Sequence, residues 1–517
     1  MATAVKDVSG QSSGKKAGGI LDRGKSLIQK TKERVFEYAL GEALGLLGHA
    51  SEQRYVHIAQ LFKSQAKNET GLMVARWVEN YLSPGSPGPE LIKRVLTSVD
   101  PKVRRKYLAR FISSILFHDS SVVHKLPDGR EASSPACVVI SPTMRCNLRC
   151  VGCYAGNYTK KDDMPAWLFE RVISEARELG TRFFIVVGGE PLIYEPLLDV
   201  LKKFDDCAFQ FYTSGHLLTD EVARRIVDMG NTVPAVSIEG FKKETDMRRG
   251  DGGFDRAIRA MDILRKAHAL FAFSVTVTRQ NFDAVTSDEF VDLMIEKGAG
   301  YGWYFTYVPI GRGPDMDLQP TPEQRMQLRV WINEIRKVKP MLIGDFWNDG
   351  PLSEGCLSAG RRYLHINNKG DVEPCVFAHF AVDNLHSTSL KEALASDFFT
   401  AWRQASPFGA NLLRPCPIID HPQVLRKLVK KFGAYPTHEG AESIITDLAE
   451  SMDRYAARLK EVSDPVWDAE YQWAAVLHNN PRYAKRLCAP ENGGVSRPDE
   501  IVVDGEPCVP PLTGVAR

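Results

Sequence analysis

No stretch of this chain approaches the roughly 20 consecutive uncharged apolar residues that a membrane-crossing helix needs. No cleavable apolar signal opens it. An excess of charge is missing too: 66 Lys and Arg stand against 64 Asp and Glu, a formal net of +2. Nothing global therefore points to nucleic acid, and no nucleic-acid partner is expected. Cysteine is sparse, ten in 517 residues, which excludes a disulfide-stapled secreted scaffold. There is no internal repeat and no long low-complexity tract. What remains is an ordinary globular balance, 44% hydrophobic and 25% charged, in a chain long enough for several domains. The expected compartment is the reducing cytoplasm.

Organisation follows from composition and periodicity. Residues 1–20 are small, polar and glycine-rich, the composition of a disordered tip. Residues 21 to about 118 read as helices: Ser26-Leu27-Ile28-Gln29 has the form of a capping box, Ser83 to Pro89 is a break, and Asp100-Pro101 opens a further helix. From about 136, short β-rich runs alternate with helical ones. The strand candidates are Cys137–Ile140, Phe183–Val187, Phe209–Tyr212, Ala235–Ile238, Phe273–Val277 and Trp303–Tyr307, with helices such as 165–179 and 254–267 between them. Six alternations predict an α/β fold, a parallel sheet curled as a partial (β/α)6 TIM-type barrel, with chemistry on the loops at the carboxyl ends of its strands. The expected domains are 1–130 (helical), 131–330 (barrel), 331–421 (small and loop-rich) and 422–517 (helical).

The loop after the first strand carries Cys146, Cys150 and Cys153. C-x3-C-x2-C offers three thiolates from one short segment, enough for three irons of a cubane with the fourth iron open to a substrate or cosubstrate. A zinc site or a trio of structural thiols is the alternative, although zinc wants four ligands and no fourth is obvious nearby. Gly188-Gly189-Glu190-Pro191 follows the second strand. Two glycines permit close backbone approach to a ligand, and Glu190 can accept from an ammonium group.

These two motifs, one βα unit apart, resemble those of radical S-adenosylmethionine (SAM) enzymes over roughly residues 136–310. The resemblance implies a catalytic 4Fe–4S cluster on Cys146, Cys150 and Cys153, and SAM bound at the open iron. It also implies a 5′-deoxyadenosyl radical and a low-potential donor such as flavodoxin or ferredoxin. Residues matched to the SAM pocket are Gly188, Gly189, Glu190 and Pro191, then Ser214 in Thr213-Ser214-Gly215, Ser237 and Glu239, with Arg249 for the SAM carboxylate and Ser274 as a weaker match. Gly152 stands where the family often has an aromatic residue, and Tyr154 is expected to lay its ring against the adenine instead. Tyr304 and Tyr307 are the two phenols on strand six to test as radical partners; the catalytic residue itself is not named.

Further on, Cys356, Gly370 and Cys375 form C-x13-G-x4-C, with Cys416 beyond. This resembles the auxiliary-cluster region, SPASM or the shorter twitch, and implies one further 4Fe–4S cluster. Three unrelated buried cysteines are the plain alternative. Asp420, His379, Cys488 or an open iron are the candidates for the fourth position. Cys137 and Cys207 read as core.

Two substrate readings stand. Enzymes with this auxiliary region mostly modify peptides or protein side chains. The whole chain is also similar to bacterial synthases that join acyl tails into membrane-spanning lipids by C–C coupling. Two basic amphipathic helices support the lipid reading: one near Lys15, Lys16, Arg23, Lys25, Lys30, Lys32 and Arg34, the other Val424–Phe432. The first expectation is therefore an acyl-chain substrate, with peripheral contact at the inner membrane face; peptide modification is the alternative. No cobalamin-binding Asp-x-His-x-x-Gly signature is present.

Overall fold

The computed structural model describes residues 35, 38–48, 51–64, 76, 78–118, 122–156 and 163–471. The Ser26 capping box, the Lys15–Arg34 basic cluster and Cys488 lie outside the described residues.

Fourteen strands are described. They are β1 (Val123–Lys125), β2 (Glu131–Ser133), β3 (Cys137–Ile140), β4 (Phe183–Val186), β5 (Ala208–Thr213), β6 (Thr232–Ser237), β7 (Ala272–Val277), β8 (Tyr301–Thr306), β9 (Leu342–Asp345), β10 (Tyr363–Ile366), β11 (Asp371–Glu373), β12 (Phe380–Ala381), β13 (Asp383–Asn384) and β14 (Tyr435–Pro436). The main sheet has the order β13-β11-β10-β3-β4-β5-β6-β7-β8-β9. From β10 to β9 every neighbouring pair is parallel. The α/β barrel is thus two parallel strands longer than the six read from the sequence. β9 and β10 follow each other in the chain yet stand at opposite ends of the parallel run, and the segment between them carries Cys356.

Parallel strands are covered on their outer face by crossover helices, so that face is almost purely apolar. Phe184, Val186, Phe209 and Phe211 pack into one buried cluster, and Phe273, Val275, Val277 and Ile343 into another. The alternate residues of β8, Tyr301, Trp303 and Phe305, point the other way and keep partial exposure.

One end of the barrel is closed. Val99, Val103 and Tyr107 pack on Ala208, Val233 and Leu270 at the amino ends of the strands. Tyr107 lies on a π-helical turn, Arg104–Leu108, and its hydroxyl is 3.3 Å from that of Tyr301. Side chains of this size gain about 1.5–3 kcal/mol each on burial. Packing therefore fixes helices 88–117 as the floor of the barrel, and the carboxyl ends form its mouth.

The second basic helix gives the membrane expectation no support. In Pro422–Phe432, Val424, Leu425, Leu428 and Val429 are buried in the main core, and Arg426 pairs with Asp453 at 2.7 Å. Its apolar face is already used, so no lipid-facing surface is left there. Nor does this helix begin a separate unit: β14 pairs antiparallel with β12, joining the segment after 422 to the auxiliary region. Among the described residues no helix is long and apolar enough to cross a membrane.

Candidate functional site

The cysteine loop leaves the end of β3 and is held down by the backbone that follows β4. Gly189 N donates to Thr143 O at 3.0 Å and Glu190 N to Arg145 O at 2.8 Å. The glycines serve this contact. A Cβ on Gly188 (φ +118°) would sit 2.1 Å from Thr143 O, and one on Gly189 would sit 2.1 Å from Arg145 O. The glycines therefore permit close approach to the cysteine loop itself. Gly189→Ala is expected to push the loop off its seat and lower the iron retained per chain. Iron quantitation after anaerobic gel filtration measures this, and full retention would refute the packing role.

From the other side Gly152, at φ +63°, lies against the Tyr307 ring, where a Cβ would come within 2.6 Å. Tyr307 and Leu318 fill the space around this position, leaving no room for an aromatic side chain here. Arg312, a residue no motif marked, clamps the loop through N to Cys153 O and Nη2 to Cys150 O, both 3.1 Å.

Burial pushes the Cys146 thiol up to about 11 and raises that of Cys153, each thiol also feeling its neighbours; Arg248 and Arg312 draw Cys153 back down. Sulfurs that feel one another in this way are costly as bare thiolates, and a bound iron cluster removes that cost. Among the described residues no group of three or more His, Cys, Asp and Glu side chains is arranged to hold a single metal ion. A cubane, whose ligands sit on separate irons, asks for wider spacing. The donor set fits the cluster better than zinc.

Glu190 is 1% exposed. Its carboxylate accepts from Thr213 Oγ1 (2.9 Å), from Ser214 N and Oγ (both 2.8 Å) and from Leu192 N (3.2 Å). No cation is among these partners, and burial raises its pKa. A buried carboxylate so supplied with neutral donors, close enough to feel the Cys146 sulfur, fits an incoming ammonium.

Glu239 is fully buried and takes Arg248 Nη1 and Arg249 Nη2 on one oxygen at 2.5 Å each, Arg249 Nε on the same oxygen at 2.9 Å, and Thr276 N on the other at 3.0 Å. Arg249 thus gives its Nε and Nη2 to Glu239. Arg248 keeps a buried Nε without a hydrogen-bond partner. Ser237 and Ser274 are brought together, Oγ to Oγ 3.0 Å. Pro191 opens the short turn after Glu190.

The Tyr154 hydroxyl donates to Gly188 O at 3.1 Å, and its ring meets Phe377 edge-on at 5.8 Å. It joins the cysteine loop to the auxiliary region. Tyr304 donates to Val285 O at 2.7 Å inside the outer core and is a packing residue. From β4 to β8 the inward faces of the strands are uncharged: Ile185, Gln210, Tyr212, Trp303 and Phe305 stand there, with Phe346 stacked on Phe305 at 4.8 Å, while on β10 His365 is held by Glu373 and Ser141.

Cys356, Cys375 and Cys416 are each raised by burial; Cys416 feels the sulfurs of both Cys356 and Cys375, and Cys375 feels that of Cys356. Two fourth-ligand candidates fall away. Asp420 is held in a fully buried ion pair with Arg325. His379 has Nδ1 against His438 and Nε2 against Val376 O at 2.9 Å. Cys137 lies on the inward side of β3, and Cys207 is fully buried.

The radical SAM superfamily model matches residues 140–291, and the iron–sulfur cluster-binding domain model called SPASM matches residues 356–417. A mycofactocin maturase of Mycolicibacterium smegmatis is 31% identical over 297 residues, 54% of this chain and 73% of that protein. An AdoMet-dependent heme synthase of Methanosarcina barkeri is 29% identical over 290 residues, 50% of this chain and 82% of the other. Among solved structures, SuiB of Streptococcus suis bound to S-adenosylmethionine is similar at TM-score 0.48 and 18% identity, over 67% of this chain and 84% of that one. The two domain matches fall on the two cysteine trios, and the maturase is covered over most of its length. The chain belongs to the radical SAM superfamily: it is an enzyme that works with a 4Fe–4S cluster and S-adenosylmethionine, and it carries a SPASM-type iron–sulfur domain behind its barrel.

Proposed function

We propose that the enzyme abstracts hydrogen from an unactivated carbon of a peptide or protein side chain presented at the barrel mouth. The observation that carries this is the rim. Val151, Leu217, Met247, Phe346 and Leu352 are all exposed, and all five stand on connections at the carboxyl ends of the strands. Exposed apolar side chains on one end of a barrel fit contact with a partner surface, and a polymer chain lying across the mouth would cover them. The relatives named maturases support the same reading. Of the two basic helices that motivated the acyl-chain reading, Val424–Phe432 has its apolar face buried in the core.

When bound, the cluster and SAM supply a 5′-deoxyadenosyl radical as the hydrogen acceptor. Cys146, Cys150 and Cys153 hold that cluster, and Glu190 takes the SAM ammonium. Arg248 Nε, buried and without a partner, is a donor for the SAM carboxylate beside Arg249, with Glu239 fixing both guanidinium groups. The uncharged inward face, from Tyr212 to Phe305, takes an uncharged side chain and keeps water from the reacting carbon.

Glu190→Gln is expected to weaken SAM binding about 10- to 100-fold, the equivalent of one hydrogen bond to a charged group. Equilibrium dialysis with labelled SAM measures it, and unchanged affinity would remove Glu190 from the pocket.

The substrate class is tested by deuterium transfer. Peptide and lipid fractions from host cells grown on deuterated amino acids or deuterated fatty acids are each incubated anaerobically with reconstituted enzyme, SAM and reductant. Deuterium in the released 5′-deoxyadenosine from the peptide fraction supports the proposal. Label from the lipid fraction alone would overturn it in favour of the acyl chain.

A further inference from the structure

The auxiliary cysteines have neighbours that no motif marked. The Tyr363 hydroxyl lies 2.7 Å from Cys375 Sγ. Tyr363 stands at the start of β10, in register with Cys137 of β3, so its ring projects from the inward face of the barrel toward the sulfur. On the far side Ser358 Oγ lies 3.0 Å from Cys356 Sγ, while Trp402 Nε1 donates to the same Ser358 Oγ at 2.8 Å. An indole N–H only donates, so it occupies a lone pair of the serine and leaves the hydroxyl proton free for sulfur. Backbone amides add to this: Phe377 N reaches Cys375 Sγ and Ile418 N reaches Cys416 Sγ, both 3.4 Å.

A cysteine bound to iron carries no proton, so at each hydroxyl–sulfur contact the hydroxyl is the donor. Hydrogen bonds to cluster sulfurs withdraw negative charge, stabilise the reduced cluster and raise its potential. We propose that Tyr363, seconded by Ser358, is a positioning residue that sets the potential of the auxiliary cluster by donating to its ligand sulfur from the barrel side. Tyr363 is not itself an iron ligand. Ligand atoms on separate irons of a cubane stand well apart, whereas its oxygen is at hydrogen-bonding distance from one sulfur. The inference rests on Cys356, Cys375 and Cys416 being the ligands of that cluster.

The test uses the full-length chain with Cys146, Cys150 and Cys153 replaced by alanine, so that only the auxiliary cluster is loaded. Its midpoint potential is measured by redox titration followed by electron paramagnetic resonance, with and without Tyr363→Phe. Phenylalanine keeps the ring and removes the donor. The expected results are unchanged iron per chain, a more negative midpoint, and loss of an exchangeable proton coupled to the reduced cluster in electron–nuclear double resonance. Ser358→Ala shifts the midpoint in the same direction. An unchanged midpoint with the exchangeable proton still present would overturn the proposal. Loss of the cluster's iron in Tyr363→Phe would overturn it too, by making Tyr363 a ligand. Full auxiliary iron in Cys375→Ala would refute the ligand assignment instead, which keeps the two failures distinguishable.

Discussion

Cys150→Ala is expected to reduce release of 5′-deoxyadenosine to the level of an enzyme-free control and to strip the loop cluster of its iron, leaving the auxiliary iron in place. Three thiolates come from one loop, and no other cysteine stands on that loop. The loop itself survives the substitution. Its seat is made of backbone, Thr143 O and Arg145 O against Gly189 N and Glu190 N, with Arg312 holding Cys150 O and Cys153 O. The loss is therefore chemical rather than a collapse of the fold. Liquid chromatography with mass spectrometry measures the nucleoside, and an iron assay with and without chelation measures the clusters. Normal nucleoside release from the variant would end the assignment of Cys150.

Arg325→Met is expected to be the most damaging substitution away from either cysteine trio. Arg325 reaches from helix Pro322–Val338 into the core, donating to both oxygens of Asp420 and to Leu413 O at 3.2 Å. Both partners are fully buried. Asp420 in turn accepts from Cys416 N at 2.9 Å, so the ion pair pins the turn that carries an auxiliary cysteine to a barrel helix. Removing one partner strands a buried charge, at a cost of about 3–5 kcal/mol. Denaturant melts should show that loss together with easier release of the auxiliary iron. The double variant Arg325→Met with Asp420→Asn should recover much of the stability, because the uncompensated charge is gone. A change under about 1 kcal/mol in the single variant would show that Asp420 does not depend on Arg325.

These residues also show how far the sequence could be read. Strands such as Cys137–Ile140 and helices such as 165–179 were legible because a parallel barrel needs apolar runs and helices in alternation. Cys146, Cys150, Cys153 and Glu190 stand out as candidates in the sequence because their spacing is local. Interactions across long separations were not. Asp420 reads as a free carboxylate until Arg325, 95 residues earlier, is placed against it. Tyr304 reads as an available phenol, yet the alternation of β8 turns it outward into the helices. The basic helix at 424–432 has the pattern of a membrane surface helix, and the same pattern serves a helix that packs on a core. β9, and the place of β10 beside β3, were missed because β9 lies in a loop-rich stretch and the parallel partner of β10 is far earlier in the chain. Arg312 carries no motif, and only its contacts reveal it.

The most direct test of the account is whether SAM binds an iron of the loop cluster through its amino group. The reduced enzyme is mixed with SAM carrying nitrogen-15 in the methionyl amine and examined by electron–nuclear double resonance. The account predicts a nitrogen-15 coupling to the cluster in the wild type, lost in Cys150→Ala and retained when the auxiliary Cys375 is replaced. A reduced cluster that shows no coupling to labelled SAM, or a coupling that survives Cys150→Ala, would contradict it.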